Sequence, residues 1–89
     1  MYKIVFEEKL RKKFRRIDLS VRKRVIQYLE QDVLLKNPKS LGKTLIWDRK
    51  GCWRYRVGNY RIICKIKDKE LVILVIDVGH RKGIYQNIL

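Results

Sequence analysis

Seven side chains carry the chemistry open to this chain. Arg54 and Arg56 stand two residues apart in an alternating stretch, Arg61 follows just past Gly58-Asn59, and His80, Arg81, Lys82 and Tyr85 cluster near the C-terminus. Arginine keeps its charge in proteins and offers phosphate a rigid fork of donors. His80 is the only histidine in the chain, and imidazole suits proton exchange near neutral pH. Tyr85 can stack on an unpaired base and lend its hydroxyl to proton transfer or to a phosphate. A single histidine without an acidic cluster offers no metal centre, and neither a Gly-rich phosphate loop nor an RNA-recognition signature occurs. What these residues support without a cofactor is phosphoryl transfer in which RNA supplies its own nucleophile. The 2′-hydroxyl attacks the adjacent phosphodiester, arginines stabilise the more anionic phosphorane, and a neighbouring group moves the protons. The products would carry a 2′,3′-cyclic phosphate and a 5′-hydroxyl; DNA could bind but would not be cut.

Such a site needs elements that bring the seven residues together. Cys52 to Val57 alternates as a strand, with Trp53, Tyr55 and Val57 on one face and Arg54 and Arg56 on the other. Gly58-Asn59 suits a two-residue hairpin turn of type II′ or I′. Either turn sets Val57 opposite Tyr60, Arg56 opposite Arg61, Tyr55 opposite Ile62 and Trp53 opposite Cys64. Like charges so placed repel, at roughly 0.2–1 kcal/mol, and a bound phosphate would reverse the sign. A second reversal at 67–70 leads into Leu71 to Val78, apolar on both faces until Asp77, as a well-covered strand requires. Its end returns to Arg56 and Arg61 and brings the segment 79–85 to the same end of the sheet. By alternation Trp53 and Tyr55 belong to the core, and Cys52 and Cys64 face apart and cannot form a disulfide.

Upstream, Tyr2 to Phe6 reads as a first strand, and Glu7 to Ile17 as a helix with Leu10, Phe14 and Ile17 on its apolar side. The corner Asp18-Leu19-Ser20 offers N-caps for a second helix, whose stripe Val21, Val25, Ile26, Leu29 and Val33 ends before Asn37-Pro38. From Lys36 to Gly51 the pattern is irregular, with at most a short extended piece near Leu45. The expected fold is α+β in the order β-α-α-β-β-β, with a helical hairpin packed on a mainly antiparallel four-stranded sheet, as a single domain over 1–89. Twenty-three Lys and Arg against nine Asp and Glu leave a formal charge of +14, which points to a polyanionic partner: nucleic acid, an anionic membrane or an acidic protein. The longest apolar run, Leu71 to Ile76, falls far short of the roughly 20 residues that span a bilayer. Both helical stripes are needed for the core, which disfavours a membrane-surface role, and the N-terminus lacks the pattern of a signal peptide, so a cytoplasmic location is expected. Lys12, Lys13, Arg15, Arg16, Arg22, Lys23 and Arg24 form a basic helical surface suited to RNA phosphates, or equally an ordinary solvated face.

With its order of elements, the hairpin Trp53-Arg-Tyr-Arg-Val-Gly-Asn-Tyr-Arg-Ile-Ile63 and the ending Val78-Gly-His-Arg-Lys-Gly-Ile-Tyr85, the chain resembles the RelE/ParE toxin superfamily over essentially its whole length, and the RelE branch in particular. That resemblance implies a metal-independent mRNA interferase that enters the ribosomal A site, cleaves the message there, and is held inactive by a cognate acidic, RelB-like antitoxin. It also implies roles. Arg54 and Arg56 would bind and orient the RNA backbone, aided by Lys82. Arg61 and Arg81 would stabilise the transition state, and Tyr85 would serve in stacking and proton transfer. His80 occupies a position that is lysine in the best-known RelE, so it would act as a different general base or only in positioning. The alternative is a non-catalytic toxin or binding module on the same fold, like the ParE branch that acts on gyrase, or an RNA-binding protein. The presence of Arg61, Arg81 and Tyr85 together disfavours it.

Overall fold

The computed structural model describes residues 1–45 and 51–80. The expectations placed on Arg81, Lys82 and Tyr85 therefore lie outside the described residues. Strand β1 (Lys3–Phe6) leads into helices α1 (Glu8–Arg15), α2 (Leu19–Leu29) and α3 (Asp32–Lys36), followed by a 3₁₀ turn at Pro38–Ser40. Strands β2 (Lys43–Thr44), β3 (Trp53–Val57), β4 (Tyr60–Lys67) and β5 (Val72–His80) complete the described elements. The sheet order is β1-β5-β4-β3-β2, with β1 parallel to β5 and every other pair antiparallel. This is the expected α+β fold with one more strand. The two-residue β2 pairs with β3 in the stretch whose sequence pattern is irregular, because two residues are too few to show a period.

Helix α1 packs on β5 and α2 on β3. Between helices and sheet, Leu29, Leu34, Tyr55, Ile62, Ile73 and Val75 are fully buried, each aliphatic side chain contributing roughly 1.5–3 kcal/mol. The second helix is shorter than its stripe predicts. It stops at Leu29, and Gln31, in extended conformation, restarts the chain as α3. An unbroken helix would bury Val33, four residues beyond Leu29; the break instead turns Leu34 inward at 0% exposure and leaves Val33 at 53%. It also lets the Leu35 carbonyl accept from the Tyr2 amide, tying α3 to the start of β1. Asp18 sits at the N-cap of α2, but its carboxylate accepts from the Ser20 hydroxyl rather than from a backbone amide.

One irregularity decides the faces of β5. Ile63 pairs with Asp77 and Cys64 with Val75, so Ile76 is an extra residue, a β-bulge. Because side chains alternate with period two, one inserted residue exchanges the faces of everything beyond it. Ile73 and Val75 lie on the helix face, and after the bulge it is Val78 that returns to it. The opposite face carries a second apolar cluster of Leu45, Cys52, Ile63 and Ile76. Cys52 and Cys64 are both free and sit in different clusters, as alternation requires.

Candidate functional site

The hairpin that carries the arginines folds in the expected register. Val57 pairs with Tyr60, Arg56 with Arg61, Tyr55 with Ile62 and Trp53 with Cys64. Gly58 has φ +58°, and Asn59 is not among the residues with positive φ; positive φ at the first central position alone is the pattern of a type II′ turn. A side chain at Gly58 would be strained by that φ and would also meet the Arg24 guanidinium of α2 at 3.1 Å.

Arg56 and Arg61 share a face and differ in environment. Arg56 is exposed, whereas Arg61 is only 2% exposed and its Nε is buried with no hydrogen-bond partner among the described residues. Gly79, the β5 partner of Arg61, brings no side chain beside it. A buried N–H left without a partner costs about 1–3 kcal/mol. A guanidinium held this way is ready to donate to an anionic oxygen and has little side-chain entropy left to lose on doing so.

Across β3 lies a cation that the sequence pattern does not single out. Lys43 of β2 is the register partner of Arg54, and Leu41, Lys43, Arg54 and Arg56 line a depression of about 250 Å3. Its position depends on Gly42. A Cβ there would stand 3.0 Å from a Tyr55 ring carbon, 3.2 Å from Trp53 and 3.3 Å from the Arg54 carbonyl, so a side chain would require this segment or its neighbours to give by a few tenths of an ångström. The available signal was Leu41, Lys43 and Leu45 at alternate positions, too short to separate from a loop. Trp53 is half-buried, with the Lys39 ammonium 5.9 Å from its ring centroid. Tyr55 is a full core residue whose hydroxyl donates to the Pro38 carbonyl at 2.6 Å; burial pushes its pKa upward and keeps the phenol neutral.

His80 reaches the expected end of the sheet but not the arginine face. It pairs with Tyr60, and the two rings meet edge to face at 5.7 Å. Tyr60 packs against the core on the helix side, so His80 projects on the side opposite Arg56 and Arg61. The bulge at Ile76 is the cause. The basic helical surface is also less free than its composition suggests: Lys13 pairs with Asp77 at 2.7 Å, and Arg22 Nε donates to the Ile17 carbonyl. At the far end of the sheet, the Asp68 carboxylate accepts from the Tyr2 hydroxyl at 2.6 Å and from Lys39 at 2.9 Å. These contacts, the tyrosine first, hold its pKa below the usual carboxylate value.

On the helix side of β1 lies a groove of about 700 Å3, lined by Ile4, Val5, Phe6, Phe14 and Ile26 with Arg11 and Arg15 beside them. β1 is the terminal strand of the described sheet. An apolar floor with arginines next to a sheet edge suits an extended or helical segment that carries both apolar and acidic side chains.

The chain and its fold have counterparts among known proteins. A family model described as the ParE toxin of type II toxin-antitoxin system, parDE, matches residues 4–85. Toxin RelG of Mycobacterium tuberculosis is 26% identical over 85 residues, covering 96% of this chain and 97% of that protein. Among solved structures, the toxin-antitoxin complex RelBE2 from Mycobacterium tuberculosis contains a chain that superimposes with a TM-score of 0.80 at 25% identity, covering 90% of this chain and 98% of that one. The isolated E. coli RelE toxin superimposes over the full length of both chains, with a TM-score of 0.72 at 22% identity, a likeness of fold.

Proposed function

This chain belongs to the ParE toxin family of type II toxin-antitoxin systems, within the RelE/ParE superfamily, and from its arginine face we propose that it arrests growth by cutting messenger RNA in the ribosomal A site. The observation that carries this reading is Arg61, buried beside the exposed Arg56 with its Nε lacking an acceptor among the described residues. In the proposed reaction the 2′-oxygen forms a bond to phosphorus, the bond from phosphorus to the 5′-oxygen breaks, and the proton lost at the first oxygen is made good at the second. Arg56 and Arg61 neutralise the non-bridging oxygens as the phosphorane gains charge. Arg81 and Tyr85 join them as the resemblance implies, with Tyr85 as the proton carrier, and Lys82 contributes to backbone binding. His80, turned toward Tyr60, positions the end of β5 and does not serve as the base.

The protein works in the cytoplasm on this reading, and its silencing partner is an acidic antitoxin seated in the groove beside β1. Related toxins have been solved in complex with antitoxins. The second reading, a ParE-like toxin without nuclease activity, is favoured by the family model, which is named for ParE.

Purified protein added to a translating extract, with message ends mapped by primer extension, separates the two. We expect cuts in phase with codons for the wild type, strongly reduced in Arg81→Ala and Tyr85→Ala. His80→Gln should keep the wild-type pH-rate profile for single-turnover cleavage. Translation or growth arrest with every message intact would remove the nuclease reading.

A further inference from the structure

On the arginine face the cations form two cross-strand pairs rather than one. Lys43 stands opposite Arg54 across β2 and β3, and Arg56 stands opposite Arg61 across β3 and β4. The pairs are two residues apart along β3, which is about 6.6 Å, and displaced sideways by one strand spacing, about 4.8 Å. Their centres are therefore roughly 8 Å apart, a span that long basic side chains can adjust to successive phosphates of one RNA backbone.

We propose that Lys43 and Arg54 form a second phosphate seat, holding the backbone phosphate next to the scissile one, so that RNA crosses the sheet obliquely from β2 to β4. This rests on the nuclease reading and adds the direction of the strand and a residue that reading does not contain. Three observations support it. Lys43 is exposed and makes no ion pair among the described residues, so its charge is available to a ligand. The depression lined by Leu41, Lys43, Arg54 and Arg56 measures about 250 Å3, below the range of about 300–1,000 Å3 that holds a drug-sized ligand. It fits one phosphate with its ribose. Leu41, 40% exposed, gives the sugar or base an apolar wall beside the cations.

The arrangement also explains Gly42. By allowing the chain to lie against Tyr55 and Trp53, it brings Lys43 level with Arg54, on the side of β3 away from Arg61. Binding energy from this neighbouring phosphate would be gained away from the reacting centre and would fix the scissile linkage against Arg61.

The test is single-turnover cleavage by the full chain on ribosomes programmed with a synthetic message. In separate messages, a neutral methylphosphonate replaces each of the two phosphates flanking the scissile one. For the wild type we expect one of these replacements to reduce kcat/KM about tenfold. Lys43→Ala should show a loss of similar size on the unmodified message and no further loss from that replacement, while Lys43→Arg restores both the rate and the sensitivity. The second seat is overturned if Lys43→Ala cleaves the unmodified message like the wild type, or if it stays as sensitive to the neutral linkage as the wild type is. Either outcome leaves the nuclease reading intact. Wild-type protein that leaves the unmodified message uncut overturns both.

Discussion

On the proposed reaction, Arg61 would set stability against function within one side chain. Its guanidinium is buried, and its Nε finds no acceptor among the described residues, so the folded protein bears a desolvation cost that bound phosphate would offset. Replacement by an apolar side chain of similar length should expose that cost. We expect Arg61→Met to keep or raise the stability of the protein, by about 1–4 kcal/mol, while cleavage falls at least about 100-fold. The urea midpoint and the single-turnover rate, measured on the same preparation, check this; a variant that loses both together would show Arg61 to be a structural residue. Cys64 gives the contrasting case, a fully buried thiol whose pKa is pushed upward by burial, which makes it inert packing and not a nucleophile.

Two local devices position the elements. The type II′ turn at Gly58 sets the register that opposes Arg56 to Arg61, and the bulge at Ile76 turns His80 away from them. A third device lies at the far reversal, where Asp68 accepts hydrogen bonds from Tyr2 at the start of β1 and from Lys39 in the 3₁₀ turn. Its carboxyl titrates below its ordinary value in the folded protein. Asp68 therefore contributes stability that is fully present above about pH 4, near the unfolded-state value, and is lost as pH falls through the lowered folded-state value. We expect the melting temperature of the wild type to fall more steeply on acidification through this range than that of Asp68→Asn. Parallel curves for the two proteins would show that the contacts add nothing. The hairpin was legible from alternation and turn chemistry. The bulge was not, because an extra residue in a strand apolar on both faces leaves no mark on the hydrophobic pattern.

For the whole molecule, the formal charge of +14 leaves cations on each of two candidate binding surfaces. One is the arginine face of the sheet; the other includes the groove beside β1, where Arg11 and Arg15 flank Phe6, Phe14 and Ile26. Since both arginines are exposed, reversing them leaves the core untouched. We expect Arg11→Glu with Arg15→Glu to weaken antitoxin binding at least tenfold, measured by titration calorimetry, while cleavage in the absence of antitoxin changes by less than about threefold. Unchanged antitoxin affinity would place the partner elsewhere. Both helical stripes were expected to be consumed by the core; Ile26, 38% exposed and lining the groove, shows that part of one is left for a partner.

Short-range rules in the sequence by themselves determined the α+β class, the two helices that begin the helical layer, the hairpin register and the pairing of Arg56 with Arg61, because period, turn chemistry and charge are local properties. Tertiary structure alone decided three matters. Packing demanded a break after Leu29 so that Leu34 could replace Val33 inside. A bulge, whose effect is set by pairing with a distant strand, chose the face of His80. The close approach of Gly42 to Tyr55 made Lys43 a neighbour of Arg54, a relation that no periodicity in so short a segment could reveal.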